Sequence, residues 1–224
     1  MPDIRHFADE LNELKQRLLV MAGLAEERVR MAMNGLVRRD PGELAAVIRG
    51  DEALNAMHVE IDDRCFKLLA LQQPMAVDLR VIVSTVKINS DLERVGDLAV
   101  NIAEASERYI SQPPVKALID LPRMGELAQQ MLRDALDAFV SQNVALAQQV
   151  LAQDDVLDGL KTQIFRELLT YMLGNPRTIE PGIDLILISR HLERVGDHAT
   201  NIAEDVIFIV EARDVRHPSL DRQP

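Results

Sequence analysis

The stretch 92-LERVGDLAVNIAE-104 returns one hundred residues later as 192-LERVGDHATNIAE-204, identical at eleven of thirteen positions. Working outward from this block, an offset of 103 lays residues 21–68 on residues 124–171 without a gap. Ten of those 48 pairs are identical, among them Leu24/Leu127, Arg30/Arg133, Val47/Val150, Asp51/Asp154, Leu54/Leu157 and Ile61/Ile164. The change of offset makes the connection before the last segment three residues shorter in the second copy. Proline punctuates the chain at Pro41, Pro74, Pro113–Pro114, Pro176 and Pro181, leaving six long segments with helical periodicity. The pattern predicts helices near 4–39, 43–70, 76–110, 117–141, 144–173 and 180–212, with Pro122 in the first turn of the fourth. Nothing alternates with the period of two that a strand requires. The period is too long and the copies too few for a solenoid. The expected fold is all-α: two tandem antiparallel three-helix bundles related by internal duplication. Their expected spans are 1–112 and 113–216, followed by a loose tail over 217–224.

Composition agrees with that architecture. The chain has 224 residues, 47% of them apolar but only 3% aromatic, so its core must rest on aliphatic side chains that suit helices. Thirty-six acidic residues against 25 basic ones give a net charge of −11. That balance argues against a nucleic-acid binder and for cationic ligands or basic partner surfaces. One cysteine, Cys65, excludes an internal disulfide and a cysteine-based zinc knuckle, and its apolar surroundings read as core. The N-terminus lacks secretory features, and no run approaches the ~20 apolar residues of a membrane span. A cytoplasmic protein is expected.

The thirteen-residue block carries the chemistry. On a helix, Leu92, Val95, Gly96, Ala99, Ile102 and Ala103 form one face, and Glu93, Asp97, Asn101 and Glu104 fall on the other. Glu193, Asp197, Asn201 and Glu204 repeat the second set. Packing accounts for the apolar stripe being duplicated; it does not account for the hydrophilic one. Carboxylates at i and i+4 repel mildly, and each copy accepts that cost. Oxygen-rich faces of this kind suit Mg²⁺, Mn²⁺, Fe or Ca²⁺ rather than thiolate-loving metals. The bland alternative is a solvated acidic face in which Arg94 and Arg194 pair with Asp97 and Asp197. Gly96 and Gly196 lie on the apolar side, where the missing Cβ admits a neighbouring helix.

Other residues rank lower. His191 and His198 flank the second acidic pair but sit off its stripe, and Asp51 and Asp154 read most simply as helix N-caps. Asp78 and Arg80 read as capping or ion-pairing groups. The chain has no Glu-x-x-His, HExxH, P-loop, GxSxG or GxGxxG, and no arranged nucleophile and base. No catalytic residue is assigned.

Two tandem units, each ending in LERVGDxAxNIAE, resemble the PhoU family of bacterial phosphate-transport regulators. The approach 74-PMAVDLRVIVSTVKINSDLERVGD-97 is similar to that family's DLR-to-LERxGD stretch, whereas 183-IDLILISRHLERVGD-197 lacks the DLR element. The resemblance implies a Glu/Asp-xxx-Asp metal motif at Glu93 and Asp97 and again at Glu193 and Asp197. The case for Asn101, Glu104, Asn201 and Glu204 rests on helical geometry. The implied metal is a divalent or trivalent ion such as Fe, Mn, Mg or Zn. The implied protein is a cytoplasmic homodimer without catalytic activity, recruited to the inner membrane through protein partners. Those partners would be the phosphate-specific ABC transporter and a sensor histidine kinase, and the protein would hold the phosphate-starvation response off. Alternatives are a metal-free helical interaction protein or a metal-dependent enzyme.

Overall fold

The computed structural model describes residues 2–215, with the side chains of residues 2–5 and 51 left aside. Seven α-helices follow one another: α1 (Pro2–Arg38), α2 (Pro41–Arg49), α3 (Asp51–Gln72), α4 (Val77–Ile110), α5 (Asp120–Ser141), α6 (Val144–Gly174) and α7 (Ile179–Glu211). A short 3₁₀ turn, Pro176–Thr178, precedes α7, and no strand occurs among the described residues. The first bundle is α1, α2–α3 and α4; the second is α5, α6 and α7. The expected tail over 217–224 lies outside the described residues.

The two copies turn their first corner by the same device. Arg39 and Gln142 stop α1 and α5 in the left-handed region, at φ 55° and 51°. The next residue then caps the following helix: Asp40 accepts from the Gly42 and Glu43 amides at 2.8 and 3.2 Å, and Asn143 from the Leu146 amide at 3.1 Å. Past that point the copies diverge. The single helix expected over 43–70 is broken at Gly50, whose amide is shared between the carbonyls of Ala46 and Val47. A Cβ on Gly50 would lie 3.2 Å from the Arg28 guanidinium, so the break is also where a buried cation meets the backbone. Gln153 holds the corresponding place in α6, which runs on unbroken. The expectation that Asp154 is an N-cap is therefore corrected. It lies in the middle of α6, while the cap of α3 is Gly50, with Asp51 as the first helical residue.

A single aliphatic core runs through both bundles. It is joined chiefly by α4 on α7, with α1 on α5 beside them. Lys87 meets Asp205 at 3.4 Å, Asp91 meets His198 at 2.8 Å, and Arg108 meets Asp184 at 2.9 Å, so α4 and α7 run antiparallel. Arg80, at the start of α4, donates to the Ile209 carbonyl near the end of α7 at 3.1 Å. Its role is to satisfy a helix terminus in the other bundle. Cys65 is fully buried, and burial pushes its thiol up to about 12, which leaves it chemically inert. No helix of the described residues is long and apolar enough to cross a membrane.

The duplicated glycines are close-approach points. A Cβ on Gly96 would touch Leu54 at 3.1 Å, and one on Gly196 would lie well inside the van der Waals radius of the fully buried Leu157. Gly196→Ala is accordingly expected to lower stability by about 1–2 kcal/mol, overpacking outweighing the better helix former. Gly96→Ala should stay within about 0.5 kcal/mol of wild type, because its neighbour needs to give only a few tenths of an ångström. Urea denaturation of both variants measures the difference.

Candidate metal-binding faces

Glu193 and Asp197 lie on the side of α7 that faces α6, and α6 presents carboxylates to them. Asp154 and Asp158 stand four residues apart, the same spacing as the pair on α7. Burial, then the charge of Asp158, Asp155 and Glu193, holds the Asp154 carboxyl above the usual carboxylate range. Burial, then Glu193 and Asp154, does the same to Asp197. These raised values mean that the ionised cluster costs stability at neutral pH. That cost fades as pH falls through the raised pKa values, and it fades equally when a bound cation neutralises the site.

One cation is already present. Lys161, on α6, donates to Asp158 Oδ1 at 2.7 Å and to Glu193 Oε1 at 2.6 Å, tying α6 to α7. Hydrogen bonding to these two carboxylates, Asp158 foremost, pushes the Lys161 ammonium above its usual range, so it is charged throughout the physiological interval.

The first bundle repeats the frame with different occupants. Arg94 reaches Glu93 at 3.4 Å and Asp97 at 3.1 Å. Across from them α3 carries Asn55 and His58 where α6 has Asp158 and Lys161. His58 does not bridge the carboxylates: its Nδ1 lies 3.4 Å from the Asn89 carbonyl and its Nε2 3.6 Å from Asp62. Asn89 in turn donates to the His58 carbonyl and to Asp62, both at 2.9 Å.

The eight residues singled out from the sequence do not form two compact sites. Glu93 and Asp97, and Glu193 and Asp197, stay together. Glu104 lies exposed about two turns beyond Asp97 along α4, eleven residues from Glu93 and so about 16 Å away along the axis. One ion cannot be held by both. Glu204 is displaced in the same way along α7, and Asn101 sits half-buried on α4. Asn201 turns toward the other bundle, where its Nδ2 donates to Asp91 Oδ1 at 3.1 Å. His198 meets the same oxygen, in keeping with its place off the stripe. His191 is held below its ordinary pKa by burial and by Arg194, Arg190 and Arg108, so it is neutral at pH 7.

The residues missed from the sequence are Asp154, Asp158 and Lys161. A signal existed: Asp51 and Asp154 are an identical pair in the duplication, and Asp154-xxx-Asp158 has the spacing of Glu193-xxx-Asp197. The donors fit a hard cation chemically, since all four in the second bundle are carboxylates. They are not preassembled: among the described residues no three His, Cys, Asp or Glu side chains stand in coordinating geometry. A metal would have to draw Asp154, Asp158, Glu193 and Asp197 inward and turn Lys161 away.

Residues 18–106 and 121–206 each match the PhoU domain, so the duplication is one domain type used twice. The chain belongs to the PhoU family. It is 41% identical over 221 residues to the phosphate-specific transport system accessory protein PhoU homolog of Caulobacter vibrioides, covering 97% of this chain and 96% of that one. The corresponding protein of Pseudomonas aeruginosa is 39% identical, with 97% and 90% covered. Among solved structures, PhoU from Pseudomonas aeruginosa superposes with a TM-score of 0.90 at 38% identity, over 92% of this chain and all of that one. The phosphate transport system regulatory protein PhoU from Streptococcus pneumoniae gives 0.86 at 30% identity, over 93% and 99%. At these similarities the fold of two three-helix bundles is that of the PhoU family.

Proposed function

We propose that this PhoU-family chain is a cytoplasmic, non-enzymic regulator of phosphate-specific transport whose acidic faces bind hard metal ions. The metal would be a divalent or trivalent ion held by Glu193 and Asp197 with Asp154 and Asp158, and by Glu93 and Asp97 in the first bundle. In this reading the homodimeric protein links the phosphate-specific ABC transporter to a sensor histidine kinase. It holds the phosphate-starvation response off when phosphate is plentiful. Support for the transport role comes from the relatives, which are named as accessory and regulatory proteins of phosphate transport. Support for the metal comes above all from the opposed carboxylate pairs of α6 and α7, where burial first and the neighbouring carboxylates second lift Asp154 and Asp197.

Replacing Glu93, Asp97, Glu193 and Asp197 together with Ala is expected to abolish metal uptake while leaving helicity nearly unchanged. Metal analysis of protein purified without chelator, with circular dichroism alongside, reads both quantities. Equal metal content in wild type and the quadruple variant would sink the metal reading.

A second reading rests on Arg94 and Lys161, which already pair with these carboxylates. In it the acidic faces act without metal and bind a basic partner surface. Co-purification from phosphate-rich cells separates the two. Complexes that dissolve with chelator support metal, whereas complexes that survive chelator but fall apart with salt support direct charge pairing.

A further inference from the structure

The second bundle carries an apolar groove that its own packing leaves open. On α6, Phe165, Leu169 and Leu173 recur at i, i+4 and i+8; on α7, Ile179, Ile183 and Ile186 recur at i, i+4 and i+7. All but Ile186 are large exposed apolar side chains, with Leu173 80% and Ile183 48% accessible. α6 and α7 are packed neighbours, joined at one end where Thr178 Oγ1 donates to the Tyr171 carbonyl at 3.1 Å, and Phe165 of the one stripe and Ile186 of the other line the same cleft. That cleft, of about 400 Å³, runs on to Lys161, Arg190 and Glu193; Leu169, Leu173, Ile179 and Ile183 lie exposed beyond it, toward the end where the two helices are joined. From Ile179 to Arg190 the α7 wall rises through eleven residue steps, about 16 Å or three turns.

The rim is basic in a chain whose net charge is −11. Arg190 lines the cleft from α7, while Arg166, next to Phe165 on α6, borders the adjoining hollow that shares Lys161 and Thr162 with it; neither arginine has an ion-pair partner among the described residues. The first bundle supplies an internal comparison. There the counterparts of Phe165 and Arg166 are Asp62 and Asp63, and the counterpart of Arg190 is Ser90. The first bundle keeps apolar residues at five of the six stripe positions (Phe66, Ala70, Leu79, Val83 and Val86), so what distinguishes the two faces is the charge beside them: Asp62 and Asp63 there, Arg166 and Arg190 here.

We propose that the α6–α7 groove docks an amphipathic helix of a partner protein, one with a leucine-like stripe flanked by carboxylates. Two helices side by side with aliphatic stripes present the seat for one more, which with α5 on their other side would complete a four-helix arrangement. Arg166 and Arg190 would pair with acidic residues on the two flanks of the incoming helix. A second copy of this chain fits poorly, because an isologous contact through this face would bring two basic-flanked faces together with no added carboxylates to meet Arg166 and Arg190. The inference does not depend on metal at the acidic faces.

The probe is a labelled synthetic helical peptide with leucines at i, i+3, i+4 and i+7 and glutamates on both flanks, beside a twin with lysines there. Fluorescence anisotropy should show the glutamate peptide bound by wild type, with affinity falling at least about tenfold in Ile183→Asp and in Arg166→Glu/Arg190→Glu. The charge reversal should instead favour the lysine peptide. Val83→Asp, the matching change in the first bundle, should bind as wild type, and circular dichroism should show every variant folded. Equal binding of both peptides, or binding unaffected by Ile183→Asp, overturns the proposal. Sedimentation that converts a dimer to a monomer in Ile183→Asp assigns the groove to a second copy and overturns it too. So does wild-type binding to anionic phospholipid vesicles that Ile183→Asp abolishes, which would make the groove a lipid contact.

Discussion

Arg108→Met is expected to lower stability by about 3 kcal/mol, an unusually large loss for a side chain that is itself half-exposed. The reason lies in its partner. Arg108 Nε donates to Asp184 Oδ1 at 2.9 Å, and the Asp184 side chain retains only 7% of its accessibility. As a pair the two contribute little, because an exposed guanidinium gains modestly from a contact that water competes for. Removing the arginine alone strands a carboxylate between α4 and α7, away from the water that would solvate it.

The asymmetry gives the experiment its control. The first copy carries Ser84, also buried, where the second carries Asp184. Arg108→Met/Asp184→Ser should therefore recover most of the loss, since both charges leave together. Urea unfolding of the two singles and the double yields a coupling energy of about 2 kcal/mol or more. If Arg108→Met and the double variant unfold alike, the pair is not what fastens this part of the interface. The result bears on function because α4 and α7 carry both acidic stripes, and Arg108–Asp184, Asp91–His198 and Lys87–Asp205 join one helix to the other.

The bundle architecture was legible in the sequence because its determinants are local. Proline placed the corners, and the thirteen-residue block marked the last helix of each copy. The break at Gly50 was less visible. A glycine inside a periodic segment can continue a helix, and here the break coincides with Arg28, a residue of another helix. Glu93, Asp97, Glu193 and Asp197 stood out because a hydrophilic stripe had been duplicated. Asp154 and Asp158 did not, since what makes them matter is α6 lying against α7, and spacing along one helix carries no record of its neighbour. Asn201 shows the same limit from the other side. A helical wheel gave it an angle within 80° of Glu193, and that angle suffices to turn it toward Asp91 of the other bundle.

Lys161→Met is expected to raise the affinity of the second bundle for Mn²⁺ or Mg²⁺ by on the order of tenfold to a hundredfold. A metal bridging α6 and α7 needs the oxygens of Asp158 and Glu193, and Lys161 holds one of each at 2.7 and 2.6 Å. Loading the wild type must break both contacts and leave an ammonium beside the incoming cation. Methionine keeps the stem's apolar packing and removes the charge. The same substitution should cost the metal-free protein stability, because Asp154, Asp158, Glu193 and Asp197 then repel without any compensating cation, and added metal should restore it. Titration calorimetry reads the affinity and thermal unfolding with and without metal reads the stability. Glu193→Gln/Asp197→Asn in the Lys161→Met background identifies the site, since it should remove the added binding. An unchanged affinity in Lys161→Met would show that the ammonium and the metal do not compete, and the α6–α7 carboxylates would then be an ordinary ion-pair network. In the first bundle no such increase is expected from His58→Met, because His58 faces Asp62 and the Asn89 carbonyl and does not bridge Glu93 and Asp97.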